Sequence, residues 1–343
     1  MDAVAAAPGH LVERLPPDIQ EAIVSLCEDD RDQRTLMQVR ALHEGAVALY
    51  FKNCDWRKLL QLLLIICTNL DGVSGTGGIC MERSARAQIS AACIRSLTLD
   101  EDSLQPCSRC FIYGCLSYHR IHPDFLSSVI KANLRLTSHR GLHLIAIQPT
   151  QLSILNLATS PEVEIQVLLT HLERFTQLEE LRLMTHRGSD IIERLTVAMF
   201  RRLSPTLRVF EVADSRPMAY GAHELQEFLS TYPRLTHLSL NPQPASSVPL
   251  DELPRLTYLN AMLGHPGLVL KVFRGLFTLE DDNFSTAKNH LAPPNLHTLD
   301  LGFSRSSRSE TDNREASSYI RTYFPNVLVR GHSEGILNLS KPL

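Results

Sequence analysis

Cysteine and histidine sit in this chain at spacings that could hold a metal: Cys107-x-x-Cys110-x4-Cys115-x3-His119, with His122 three positions further on. A thiolate pair, a third thiolate and an imidazole can close a tetrahedral zinc site, and Cys-x-x-Cys is a common half of one. Structural sites usually have two separated ligand pairs around a knuckle. This run instead falls between a strand phrase, Ile94/Leu97/Leu99, and an apolar stretch, 125–134, that reads as helical. Cys107, Cys110, Cys115 and His119 therefore read better as part of a loop with idle thiols than as ligands, and no metal or cofactor is expected. Asp71-Gly-Val-Ser-Gly-Thr-Gly-Gly78 could cradle a phosphate only with a strand before it, a lysine after its last glycine and a helix beyond. Ile79-Cys80-Met81 takes the lysine's place, so a linking loop is expected. No Gly-x-Ser-x-Gly occurs, and with 14 histidines, neighbours such as Ser138-His139 arise by chance. The chain is expected not to be an enzyme.

The elements that position these residues follow from a second spacing. Leu-x-x-Leu-x-Leu recurs at Leu152/Leu155/Leu157, Leu178/Leu181/Leu183, Leu235/Leu238/Leu240 and Leu296/Leu299/Leu301, with a looser copy at Leu207/Phe210/Val212. Residues two apart on a strand share a side, so each copy sends its apolar residues into one core. Copies beginning at 152, 178, 207 and 235 are 26, 29 and 28 residues apart, a leucine-rich-repeat period. Helical patterns separate them: Ile165, Leu168, Leu169, Leu172 and Phe175, then Ile192, Leu195, Met199 and Leu203 up to Pro205, then Leu225, Phe228, Leu229 and Tyr232. A doubly wound α/β sheet also alternates strand and helix, but it requires no repeated phrase. The spacing then shortens to a partial copy at Leu256/Leu259, followed by an insertion before Leu296.

Alternation also names an outward row on these strands: Glu180, Arg182, Val209, Glu211, His237, Ser239, Tyr258, Thr298 and Asp300. Its mixed charge, with one aromatic and one imidazole, suits a protein or peptide ligand. Target binding is accordingly expected at Glu180, Arg182, Glu211, His237, Tyr258 and Asp300.

Composition sets the bounds. The 343 residues are 44% hydrophobic and 21% charged, an ordinary globular balance with room for one large or two ordinary domains. A net charge of -3 and no basic run longer than pairs such as Arg201-Arg202 argue against a nucleic-acid partner. The start lacks a basic segment followed by a long apolar one, and the longest apolar run, Leu62 to Cys67, falls far short of the ~18 residues of a membrane span. A cytoplasmic or nuclear protein with reduced cysteines is expected.

Residues 1–10 read as a loose tail, and compact helices follow. Pro16-Pro17 fix an opening turn, Asp18 complements the dipole of the first turn, and Ile19, Ile23 and Leu26 fall on one face. The acidic stretch Glu28–Asp32 ends this helix, and a second helical stretch carries Leu36, Val39, Leu42, Val47, Tyr50 and Phe51. Three short helices cannot bury a stable core alone and should lean on something else. The phrase Leu15-Pro16-x-x-Ile19-x-x-x-Ile23-x-x-Leu26, an acidic spacer, then Thr35-Leu36-Met37-Gln38-Val39-Arg40-Ala41-Leu42-His43 resembles an F-box. That resemblance implies a surface for the Skp-type adaptor of a cullin ubiquitin ligase at Leu15, Pro16, Ile19, Ile23, Leu36, Val39 and Leu42. Leu42 stands where the family often has an aromatic.

An F-box followed by degenerate leucine-rich repeats is similar to the fungal F-box proteins with ribonuclease-inhibitor-like repeats. The implied fold class is α/β: F-box helices over 11–56, a connecting helix and glycine-rich loop over 57–90, and an irregular solenoid with a curved parallel sheet and outer helices over 91–343. The resemblance implies a substrate-recognition subunit that holds the adaptor, the cullin ligase and a target protein. A scaffold whose N-terminal helices merely cap the repeats is the alternative.

Overall fold

The computed structural model describes residues 29–38, 42–67, 89–117, 125–185, 195–214, 218–241, 267–277, 295–301 and 310–330, with single positions or short pieces at 16, 19, 22–24, 26–27, 87, 255–256, 259 and 263. The glycine-rich stretch 71–78 lies outside them. The chain divides into two compact units, residues 1–134 with 143–152, and residues 135–142 with 153–343.

In the first unit, helix α1 spans Asp30–Leu36, α2 His43–Lys52 and α3 Trp56–Cys67, with strand β1, Asn53–Asp55, between the last two. Strand β2, Ser96–Asp100, and helix α4, Pro106–Ser117, follow, and most of β3, Lys131–Leu136, closes the unit. Asp29 caps α1 by accepting from the Arg31 amide at 2.8 Å, so the acidic stretch expected to end one helix also starts the next. Asp55 does the same for α3 through the Lys58 amide at 2.9 Å.

The short helices do lean on a neighbour. Lys58 on α3, nearly buried, donates to Asp30 Oδ1 at 2.9 Å and to the Tyr50 carbonyl at 2.8 Å, and its ammonium sits 4.3 Å from the Tyr50 ring centre. The Tyr50 hydroxyl accepts from Arg34 Nη2 at 2.8 Å and donates to Gln61 at 3.3 Å. Three helices are thereby fastened through one tyrosine and one lysine. β1 and β2 pair in parallel, Cys54 opposite Leu97.

Strands β4 Ile154–Thr159, β5 Glu180–Thr185, β6 Val209–Asp214, β7 His237–Leu240, β8 Val272–Arg274, β9 Thr298–Asp300 and β10 Leu328–Arg330 neighbour one another in chain order in the second unit. Every pairing among them is parallel. Leu155, Leu181, Phe210, Leu238, Phe273, Leu299 and Val329 form one register row. All but Val329 are completely buried. The tracts beginning at 152, 178, 207 and 235 thus feed side-by-side parallel strands, as their spacing predicts. Helix α5, Ile165–Leu172, buries Ile165, Leu168, Leu169 and Leu172, and α6, Ala222–Thr231, buries Leu225, Phe228 and Leu229, the faces that their periodicity names. A last helix, α7, spans Glu310–Tyr323.

Most repeats begin with the same device: one carbonyl accepts two successive amides from the next strand. Ser153 O takes Glu179 and Glu180, Glu179 O takes Arg208 and Val209, Arg208 O takes Thr236 and His237, Thr236 O takes Lys271 and Val272, and Lys271 O takes His297 and Thr298. Arg95 O takes Ile130 and Lys131 in the first unit. This corrects three expectations. Residues 125–134 are not helical: after a turn at 125–128 the chain enters β3, where Ala132, Leu134 and Leu136 are buried at period two. Leu256/Leu259 is not a strand phrase either. Leu256 lies in a turn and Leu259 in helical backbone, both buried, and the strand is Leu270-x-x-Phe273. The shortened repeat disappears.

The third correction concerns the helix expected over Ile192–Leu203. Among the described residues it is a 3-10 turn at Val197–Phe200, because Thr196 is extended and bridges in parallel to Ala219.

Candidate functional site

The face of β4–β10 opposite the leucines presents two rows. One runs Ile154, Glu180, Val209, His237, Val272, Thr298, Leu328, and the other Asn156, Arg182, Glu211, Ser239, Arg274, Asp300, Arg330. Strand pairing sets neighbours in each row about 4.8 Å apart. The alternation used on the sequence therefore places Glu180, Arg182, Glu211, His237 and Asp300 together on one sheet face. Tyr258 lies outside the described residues; Leu259 beside it is in helical backbone.

Arg182 is the centre of a small network. Its guanidinium meets Glu180 at 3.2 Å and Glu211 at 3.1 Å and donates to Asn156 Oδ1 at 3.4 Å. Partial exposure limits such pairs to roughly 0–1 kcal/mol each, so the network orients side chains more than it stabilises the fold. Next to it, His237 Nδ1 lies 2.9 Å from the Thr236 hydroxyl. Burial pushes the imidazole below its ordinary pKa; Glu211 pulls it upward, and Lys271, Arg274 and Arg182 add to the depression. Ser239 and Asp300 are buried although they belong to the outward row.

Sequence reasoning missed Val272, Arg274, Leu328 and Arg330. Leu270-x-x-Phe273 was the available signal, but the third phrase position is Gly275. A Cβ there would come within 2.6 Å of the Tyr220 hydroxyl, which donates to the Leu276 carbonyl at 2.7 Å. A residue from two repeats earlier thus fills the space that a leucine takes elsewhere.

At the other end of the chain, Pro16 is exposed, Ile19 is 43% exposed, and Ile23 and Leu36 are half-buried. Leu42 is buried, and Leu15 and Val39 lie outside the described residues. The first helix does not bury its Ile19/Leu26 face. Val24 is the buried residue, its methyls 3.5 Å from where a Cβ on Gly45 would stand, and Leu26 is 80% exposed.

The cysteine run sits on α4 rather than in a loop. Cys107 and Cys110 are exposed near its start, while Cys115 is buried. At about 100° and 1.5 Å per residue Cys115 points well away from Cys110 and sits about 12 Å along the axis from Cys107, so these three thiols do not converge. His119 lies outside the described residues, and among the described residues no group of three histidine, cysteine or carboxylate side chains could hold a metal ion. Among them, too, no helix is long and apolar enough to cross a membrane.

No model of a known protein family matches this chain, and no curated protein matches it.

Proposed function

We propose that this chain is the substrate receptor of a cullin-type ubiquitin ligase, an F-box protein with an irregular leucine-rich-repeat solenoid. The N-terminal helices would hold a Skp-type adaptor and the outward sheet face a target protein. Its work is proximity: a target held near an activated ubiquitin thioester on other subunits reacts at a raised local concentration, without bond chemistry by this chain. The observation that carries the reading is the exposure of Ile19 and Leu26 beside helices that are themselves firmly fastened. Large apolar side chains left in water next to an anchored scaffold suit a docking partner, and they belong to the phrase that resembles the F-box. Mixed charge on the ordered rows of β4–β10 suits a protein ligand on the other side.

The scaffold reading has one observation in its favour. Leu42 is packed inside the chain, and the Tyr50–Lys58 contacts tie the helices to the unit that carries β1, as a cap would be tied. Co-purification separates the two. Tagged full-length chain should bring down the Skp-type adaptor, and Ile19→Asp or Leu26→Asp, both at exposed positions, should abolish this without loss of folding. Absence of the adaptor from the unaltered protein leaves the scaffold.

A further inference from the structure

The two ends of the outward face differ in how their cations are satisfied. Arg182, near the β4 end, is held between Glu180 and Glu211. Toward β10, Lys271, Arg274 and Arg330 have no ion-pair partner among the described residues. Arg274 Nε is also buried without a hydrogen-bond partner among them. Arg274, Asp300 and Arg330 are consecutive rungs of one row, so two guanidiniums flank one carboxylate, and the exposed Lys271, whose charge reaches His237, adds a third cation just before β8. His237 opposite Val272 is held toward its neutral form by burial and by the neighbouring Lys271, Arg274 and Arg182, against the pull of Glu211, and so adds no further cation to the strip. The parallel row beside the cations carries Val272 and Leu328, the latter 55% exposed.

We infer that β7–β10 form a docking strip for an acidic peptide segment of the partner protein, with carboxylates on Lys271, Arg274 and Arg330 and interleaved apolar side chains on Val272 and Leu328. This names the partner chemistry of the face assigned to target binding above and rests on that assignment. Charge complementarity selects the occupant: unpaired guanidiniums on a sheet face gain most from carboxylates, which they engage in bidentate fashion. Alternation of apolar and cationic positions matches the period-two side-chain pattern of an extended peptide. A nucleic-acid strand fits less well, because no aromatic platform for bases lies among the described residues of these rows.

The test is fluorescence anisotropy with the full chain and a short labelled peptide alternating Glu with Val, against the same peptide with Gln for Glu and against an oligothymidine of equal charge. The Glu peptide should bind, more weakly as salt rises, and the Gln peptide should not. Replacing Lys271, Arg274 and Arg330 together by Gln should weaken binding roughly tenfold or more. Arg202→Gln, at an exposed position on the turn before β6, should change nothing. Equal binding of the Gln peptide, salt-independent binding, no effect of the triple replacement, or oligothymidine held as tightly through the same three residues would each overturn the inference. The peptide comparison uses unaltered protein, so it decides even where the triple variant misfolds. Adaptor co-purification is read on the same preparations: a failed Glu peptide with the adaptor still bound removes the acidic strip alone, while a lost adaptor removes the receptor reading.

Discussion

Tyr232→Phe tests the stacking of the repeats most directly. The Tyr232 side chain is completely buried, and its hydroxyl accepts from the Leu203 amide at 3.0 Å and donates to the Phe200 carbonyl at 2.5 Å. It therefore satisfies two backbone groups of the 3-10 turn one repeat earlier. The ring packs 4.7 Å from that of Phe228, and Phe228 lies 5.4 Å from Phe210. Phenylalanine keeps those ring contacts and removes only the oxygen, which leaves the Leu203 amide and the Phe200 carbonyl with only their long 3.4 Å contact to each other. Each of the two hydrogen bonds lost is worth about 0.5–1.5 kcal/mol net, so a loss of roughly 1–3 kcal/mol is expected. In a unit of this size that lowers Tm by roughly 2–12 °C.

Alkaline pH supplies a second readout of the same hydroxyl. Burial pushes the Tyr232 pKa up to about 12, against the opposing pull of the Leu203 amide. A folded pKa above the unfolded value of about 10 means that this contribution is whole below pH 10 and is lost as pH rises toward about 12. The loss over that window is roughly 2–3 kcal/mol, and the phenylalanine variant lacks it, so its stability falls less steeply there. Urea unfolding monitored by circular dichroism from pH 7 to 11.5 measures both effects. A variant within about 0.5 kcal/mol of the parent at pH 7, the range of an uninvolved surface change, would refute the bridging role.

Four further outcomes follow from the geometry. Gly275→Ala should destabilise by about 1–3 kcal/mol, since its Cβ meets the buried Tyr220 hydroxyl at 2.6 Å, while Gly45→Ala, at ordinary contact with Val24, should gain about 0.5–1 kcal/mol of helix propensity; paired thermal melts check both. Lys58→Ala removes the buried ammonium from the half-exposed Asp30 and from the Tyr50 carbonyl and should cost about 1–3 kcal/mol, read by the same melts. The His237 imidazole should titrate below its ordinary range in an NMR pH series, and Arg274→Gln should raise it by removing a neighbouring positive charge. Cys107 and Cys110 should react with a maleimide in the native protein at neutral pH. Cys54, whose thiol burial pushes up to about 12, with Asp55 adding and Lys58 opposing, should react only on unfolding.

The repeat was legible in the chain because a strand's alternation and a helix's periodicity are local properties. Leu155, Leu181, Phe210 and Leu238 announce their core row, and the residues between them, Glu180, Arg182, Glu211 and His237, must share the opposite face. β8 was not legible, since what identifies it is long-range, whereas Leu296/Leu299/Leu301 announced β9 with Thr298 and Asp300 on its outward face. Gly275 makes sense only beside Tyr220, and without it Leu256/Leu259 offers the better-looking phrase. The helical spacing of Phe125, Leu126 and Val129 likewise stands just before a strand whose Ala132 hides the pattern.

Packing between distant segments also decided which apolar residues stay in water. A helical face at Ile19, Ile23 and Leu26 can be read from spacing, but in the fold Val24 is the residue buried, beside Gly45, and Ile19 and Leu26 stay exposed. Charge followed the same division. Composition fixes the total of -3. Only strand register sets Arg182 between two carboxylates and leaves Arg274 and Arg330 flanking one, because the distances that govern ion pairing are fixed when separate repeats align.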